Sequence, residues 1–478
     1  EETTGSHEPP KKKKKKKKPS AADMKPPTAE EMIRLRETEN LFHSNLFRMQ
    51  IEEMIKEVRP KKSVRKQMKP WLEKLKEFLL NIDDSAQKPL SDENWPAGVK
   101  SPLPHLPKEE SKAVSSFLKP VSVSVVGSYA ASCCLGPSLS VDVVAVVPKK
   151  CFLKEDYLNG RYHRKRALYL AHLAQALHIS ELVGEVKWGL PWDPLSPRLV
   201  ITPTDKLDKV EVTVGVVPQP DTFKLSRFAP SNNNIRESWW SGGQMEDSRT
   251  PTPVYNTSVM RDLVMTANET VRQQALENNT NLKDAITLLR VWLRQRDLDV
   301  GYGGFSGYLV NMLVVALFHS RRLNALMSSY QIVRNVWLSL GQADWTKEGL
   351  TMCPIKQEDK TPFPSLQEFH SHFDVVFVDT TGHCNLPAGI HRLTYLRVRR
   401  EAQLAVQCLD NPDMNSFQAL FMTPMPFLRQ FDHVICVKKN KKVVESILSK
   451  ESSAESRVNH CVTVDAHFTC VVAGVLAE

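Results

Sequence analysis

The stretch VVGSYAASCCLGPSLSVDVVAVVP, residues 125–148, decides the fold. An apolar run stops at Gly127-Ser128, a turn-rich segment follows, and a second, nearly continuous apolar run carries a single acid, Asp142. Valine-dense runs of this kind read as strands of a buried sheet. Working outward, VSVSVVG from Val121 alternates, and RYHRKRALYLAHLAQAL (161–177) has apolar residues at helical spacing. RLVIT (198–202) and KVEVTVGVVP (209–218) return to strand patterns. The order strand, Gly-Ser turn, strand with one acid, helix and further strands predicts an α+β unit with a mixed sheet and flanking helices.

Farther out, residues 1–30 are rich in Lys, Pro and Ser and bury too little apolar surface to offset the entropy of ordering. Residues 28–59 read as a long helix that Pro60 ends, followed by a basic connector. WLEKLKEFLLNI (71–82) reads as a second amphipathic helix, and the proline-rich 85–120 as a loop. Residues 229–253, rich in Asn, Ser, Gly and Pro, read as a linker. Helical periodicity then dominates over 257–277, 282–296, 305–320 and 324–340. FDVVFVD (373–379) reads as a strand, 392–409 as a helix, and FDHVICVKK starts another strand at 431. The expected organisation is a tail (1–30), a sheet domain with N-terminal helices (31–240), a helical domain (250–425) and the start of a third, truncated α/β domain (426–478). Glu1 in first position and an apolar run at the other end, CVVAGVLAE, read as the ends of a fragment.

The chain has 478 residues, with 41% hydrophobic and 25% charged side chains, as in a globular protein. Its net charge of +10 comes largely from one run: Lys11, Lys12, Lys13, Lys14, Lys15, Lys16, Lys17 and Lys18. That run reads either as a nuclear or nucleolar address or as a solvated tail. The rest is close to neutral, so any nucleic-acid contact must use local patches. Two candidates stand out: Lys61, Lys62, Arg65, Lys66 and Lys69, and the cluster Arg161, Arg164, Lys165 and Arg166. Each reads equally as a phosphate contact or as a solvated face. The second sits at a helix start, where cations are disfavoured, and so needs a partner anion. Nine cysteines without C-x-x-C spacing predict reduced thiols and no metal site, although His370 with His372, or His383 with Cys384, are ligands in principle. The longest apolar run, YLVNMLVVALF (308–318), is too short to span a bilayer, and no membrane partner is expected.

The motif order around residues 125–148 resembles the nucleotidyltransferase superfamily of poly(A) polymerases, CCA-adding enzymes and oligoadenylate synthetases. The resemblance implies that Gly127-Ser128 opens a short helix facing a triphosphate. It also implies three carboxylates holding two divalent ions. Two come from Asp-x-Asp, whose spacing puts both on one strand face, and the third from a neighbouring strand. Here the pair reads Ser140-Val141-Asp142, and the third position falls on Gly215. Glu211 lies four residues from Gly215, roughly 13 Å along a strand, and Thr213 is nearer but uncharged. One acid of three survives, so the expected centre is degenerate, with remnants Gly127, Ser128, Ser140, Asp142 and Gly215. On these residues alone, another α/β fold stays open.

The downstream chain narrows this. LLRVWLRQR followed by GGFSGYLVNMLVV, and VVFVDTTGHCNLPAG, resemble the helical PAP/OAS-like domain that follows such a sheet. Together with NGRYHRKRALYLAHLAQAL and NTSVMRD they resemble the nucleolar RNA-associated protein family, Nrap, over most of 30–440. That resemblance implies a pseudoenzyme, built like two CCA-adding enzymes in tandem, of which this chain is the first half. It implies a scaffold of the small-subunit processome in the nucleus and nucleolus, with pre-ribosomal RNA and processome proteins as partners. No cofactor and no small-molecule substrate are implied. The competing readings are an active nucleotidyltransferase whose metal site is rebuilt with Glu211, Asp193 or Asp205, and a protein-binding adaptor without RNA contact.

Overall fold

A computed structural model describes residues 45–90, 114–189, 195–204, 207, 209–236, 250–301, 303–353, 363–411 and 415–424. The lysine run, Asp193, Asp205 and the strand expected at 431 lie outside the described residues.

Two helices come first: α1 through 45–58 and α2, Lys62–Leu80. The basic connector expected before residue 71 is instead the first half of α2, with Pro70 inside the helix. Met68, Trp71, Leu72, Leu75 and Leu79 form one buried stripe that clamps α2 to the sheet, while Pro70 faces solvent. Burial worth about 1.5–3 kcal/mol per large side chain outweighs the roughly 3 kcal/mol cost of the proline.

After a short pair, β1 (Lys88–Pro89) and β2 (Val114–Ser115), the main sheet begins. It contains β3 (Ser122–Val126), β4 (Leu139–Val147), β5 (Val183–Gly189), β6 (Arg198–Pro203) and β7 (Val210–Pro218). The spatial order is β3-β4-β7-β6-β5, with β4 and β7 parallel and the other neighbours antiparallel. Between β3 and β4 sits the four-residue helix α3, Gly127–Ala130, and between β4 and β5 the helix α4, Arg161–Ile179. The edge strand β5 is absent from the sequence reading, because Glu185, Lys187 and two glycines give VGEVKWG neither an apolar run nor strand propensity.

One sheet face is core. Val141, Val143 and Ala145 of β4, Val212 and Val214 of β7, and Leu199 and Ile201 of β6 pack on Leu170, Leu173 and Leu177 of α4 and on α2. On the opposite face Val126, Val144, Val146 and Val217 are buried and pack against Met265.

The helical layer holds α5 (Pro253–Leu276), α6 (Thr280–Gln295), α7 (Gly307–His319), α8 (Ser329–Gln342), α9 (Leu366–His370) and α10 (Arg392–Asp410). The strand expected at 373–379 shrinks to Phe377–Val378, paired with Leu350–Thr351. Trp292, Trp337 and Trp345 centre this core, and Ile51, Met54 and Ile55 of α1 belong to it. The Asn-rich segment is more than a connector. Asn234, 4% exposed, donates to Asn256 Oδ1 at 2.8 Å, and Asn256 Nδ2 donates to Asn232 O at 2.8 Å, which fastens the segment to the start of α5.

Candidate functional site

Strand alternation writes this second sheet face as three rungs. One rung aligns Val126, Asp142 and Thr213 across β3, β4 and β7, and continues to Val200 and Lys187. Below it, Ser140 is level with Glu211. Above it, Ser124, Val144 and Gly215 are level, and Arg198 falls opposite Gly215, one step before the Leu199–Val214 pair. This register changes the sequence reading in one respect. The neighbour of Asp142 is Thr213, not Gly215, so Glu211 is diagonal to Asp142, at about 8 Å between Cα atoms from strand spacing and rise. Distance alone therefore does not set Glu211 aside.

Asp142 rests against Gly127. A Cβ on Gly127 would lie 2.4 Å from Asp142 Oδ2, and Gly127 has φ +69°. Burial pushes the Asp142 carboxyl above its usual range; Arg198, Arg290 and Arg272 oppose that shift, and Glu269 adds to it. The helical layer supplies three of these groups. Arg272, 1% exposed, donates to Gly127 O at 3.0 Å and holds Glu269 with its Nε at 2.9 Å from Oε2. Arg290 donates to Cys133 O at 2.6 Å. Both arms bind the backbone of the Gly-Ser loop, tying α5 and α6 to the strand turn. The Ser128 hydroxyl is half-buried and has no hydrogen bond to another described residue.

The basic cluster on α4 has a structural use that the sequence reading missed. Arg164, Lys165 and Arg166 are 3%, 5% and 3% exposed. Arg164 Nε donates to Leu90 O at 2.7 Å, and Lys165 Nζ pairs with Asp156 Oδ2 at 2.6 Å. Arg166 pairs with Asp262 of α5 and donates to Leu195 O. These three cations are consumed inside the fold and are unavailable to an external phosphate; Arg161 is half-buried. The partner anions that a helix start requires are Asp156 and Asp262. At the start of α2, the N-cap residue Lys61 and Lys62, Lys66 and Lys69 of the helix are exposed, whereas Arg65 lies over the Tyr129 ring at 5.5 Å. Among the described residues, no group of three or more His, Cys, Asp and Glu comes together as a metal site.

The same seam carries a titrating group. His163 sits 2.8 Å from Ser258 Oγ, which itself donates to Tyr255 O at 2.7 Å, so His163 Nε2 is the donor. Its Nδ1 is buried without a hydrogen-bond partner among the described residues. Burial, then Arg166, holds its pKa well below the ordinary 6.5. Below pH 6.5 the unfolded chain binds a proton that the native state excludes, so this group lowers stability as pH falls, by at most ~1.4 kcal/mol per pH unit. Half-buried Asp142 and buried Asp379, whose pKa values are raised by desolvation, act in the opposite direction. Denaturation midpoints of wild type and His163→Gln between pH 7 and 5 isolate the histidine. The wild type is expected to lose more stability than the variant, and parallel curves would refute the assignment.

Residues 83–278 match the family described as Nrap protein domain 1, and residues 281–424 match the Nrap protein PAP/OAS-like domain. The junction falls between α5 and α6. Nucleolar protein 6 of Homo sapiens is 40% identical over 417 residues, covering 86% of this chain and 36% of that protein. Nucleolar protein 6 of Drosophila melanogaster is 36% identical over 442 residues, covering 90% of this chain and 35% of that protein. The chain thus spans about a third of the length of these curated relatives. Among solved structures, the RNA terminal uridylyl transferase Cid1 aligns with TM-score 0.46 and 10% identity, over 80% of this chain and 100% of that one. Matched by two successive Nrap domains and aligned with these relatives along most of its length, the chain belongs to the Nrap family.

Proposed function

We propose that this chain is a non-catalytic portion of a nucleolar protein that supports pre-ribosomal RNA processing and small-subunit biogenesis, serving in the small-subunit processome as a scaffold for RNA and protein. The observation that carries the reading is the donor set around Asp142. Two divalent ions need several hard anionic oxygens converging within a few ångströms. On this face Asp142 has Ser140 and Val144 along its own strand, Val126 and Thr213 directly across, and Glu211 and Gly215 on the diagonals, so a single further carboxylate lies nearby on the sheet, and three arginines act on the acid. This set does not fit a pair of metal ions. The likeness to proteins named nucleolar protein 6 supports the nucleolar location, as does the run Lys11–Lys18.

Labelled nucleoside triphosphates with an RNA primer and Mg²⁺ or Mn²⁺ test the non-catalytic reading. Incorporation is expected to stay at background; incorporation that disappears in Asp142→Ala would overturn it. The active-enzyme alternative has one observation in its favour, the diagonal placement of Glu211, and the same assay with Glu211→Ala decides it. For RNA contact, the exposed end of α2 remains the candidate patch. Replacing Lys61, Lys62, Lys66 and Lys69 with Glu is expected to weaken binding to unrelated RNA sequences alike and to flatten its salt dependence, as loss of phosphate contacts requires. Unchanged affinity would assign these lysines to a solvated face.

A further inference from the structure

The sheet ends in an open edge at β5. Among the described residues β5 pairs only with β6, and no backbone group of Val183–Gly189 has a hydrogen bond on its outer side. Such an edge presents a row of N–H and C=O groups that another strand can take up.

The core is open along the same margin. Val183, Val186 and Trp188 of β5 pack against the sheet core and stay half-buried, as do Phe78 of α2 and Ile82 just after it. Phe78 and Ile82 line a cavity of about 410 Å³ together with Leu182, the residue before β5, and with exposed Lys74, Glu77 and Asn81. The cavity therefore adjoins the first residue of the open edge.

Charge selects the occupant. Glu185 and Lys187 are exposed and pair with each other at 2.7 Å. They alternate with Val186 and Trp188, which are level with Ile201 and Leu199 and so share the core face, leaving the ion pair on the other face. Lys74 and Glu77 repeat the mixture of signs at the cavity. A surface of this kind offers no net field to a polyanion. It complements a strand whose one side is apolar and whose other side sets a base level with Glu185 and an acid level with Lys187. The charges, and the register shift between Val183 and Glu185, guard the edge against indiscriminate pairing.

We infer that the outer edge of β5 and the adjoining cavity dock an extended segment of a partner protein, which adds a further strand to the sheet and sets one large apolar side chain among Phe78, Ile82 and Leu182. Main-chain hydrogen bonds hold such a segment, while the cavity and the charge pattern choose it. The inference rests on the scaffold reading, to which it adds the place and the kind of a protein contact.

Two fluorescent peptides test it: Val-Glu-Val-Lys-Phe between threonine flanks, and the same residues in reverse, which suit an antiparallel and a parallel strand. The full chain is expected to bind one of them saturably. N-methylation of that peptide on alternate residues is expected to abolish binding for one alternate set and spare it for the other, as strand pairing requires. Replacing its Phe by Ala is expected to weaken binding at least about tenfold, and Ile82→Ala to narrow that difference. Glu185→Lys combined with Lys187→Glu is expected to leave thermal stability unchanged, to weaken binding severalfold, and to favour a peptide with Lys and Glu exchanged. No binding of either peptide, equal loss with both methylated sets, or indifference to the charge reversal would overturn the inference. So would displacement of the peptide by oligouridylate, which would assign the surface to RNA. Dimers that Glu185→Lys abolishes would likewise assign it to a second copy of the chain. Absence of peptide binding with nucleotide incorporation at background would remove this contact and leave the scaffold reading standing.

Discussion

Asp262→Ala is expected to destabilise the protein by about 3–5 kcal/mol, the cost of breaking a buried pair by removing one partner. Arg166, 3% exposed, would keep its charge with no carboxylate beside it. The Tyr162 hydroxyl, which donates to Asp262 Oδ2 at 2.7 Å, would lose its acceptor as well. The pair joins α4 under the sheet to α5 of the helical layer, so the loss falls on the seam between them. Asp262→Asn, which retains one acceptor for the tyrosine, is expected to fall between wild type and alanine. Urea unfolding followed by tryptophan fluorescence measures the shift. The result also separates the two readings of the α4 cluster: a structural arginine changes the unfolding midpoint and leaves RNA affinity unaltered. An unchanged midpoint with weakened RNA binding would return Arg166 to the surface.

Gly127→Ala is expected to cost about 2–4 kcal/mol. A left-handed backbone at a residue with a Cβ costs roughly 1–2 kcal/mol, and φ at Gly127 is +69°. The new methyl would also sit 2.4 Å from Asp142 Oδ2, and overpacking of this kind adds about 1–3 kcal/mol. The two contributions can be separated. In an Asp142→Ala background the collision disappears and only the backbone cost remains, so the double variant should recover much of the loss. Purely additive effects would mean that the carboxylate does not press on Gly127 in solution. The contact also gives the glycine a structural role: it lets the loop close over Asp142, and Arg272 then clamps its carbonyl at 3.0 Å.

Much of this was legible in the chain. The valine runs at β4 and β7 and the 3.6-residue spacing in α4, α6 and α7 each belong to a single element, so local pattern identified them. The mixed α+β architecture and the resemblance to Nrap followed from those elements and their order, and the family matches bear the resemblance out. Where local pattern misled, a distant contact was responsible. The stretch before residue 71 reads as a basic connector until Met68, Trp71 and Leu72 pack on the sheet. VGEVKWG does not read as a strand until β6 pairs with it. The Asn-rich stretch reads as a linker until Asn234 meets Asn256.

The site divides along the same line. Sequence by itself determined which residue types stand at the motif positions: a serine at 140, an acid at 142, a glycine at 215 and no Asp-x-Asp pair. Only the tertiary structure decided which of them are neighbours. Strand register is a pairing between segments some seventy residues apart, and it set Thr213 rather than Gly215 beside Asp142. Burial is likewise a property of the assembled layers. It turned Arg164, Lys165 and Arg166 from candidate phosphate contacts into internal ties, and left Lys61, Lys62, Lys66 and Lys69 exposed. Chain chemistry is local, whereas charge becomes available or spent only once distant segments have closed around it.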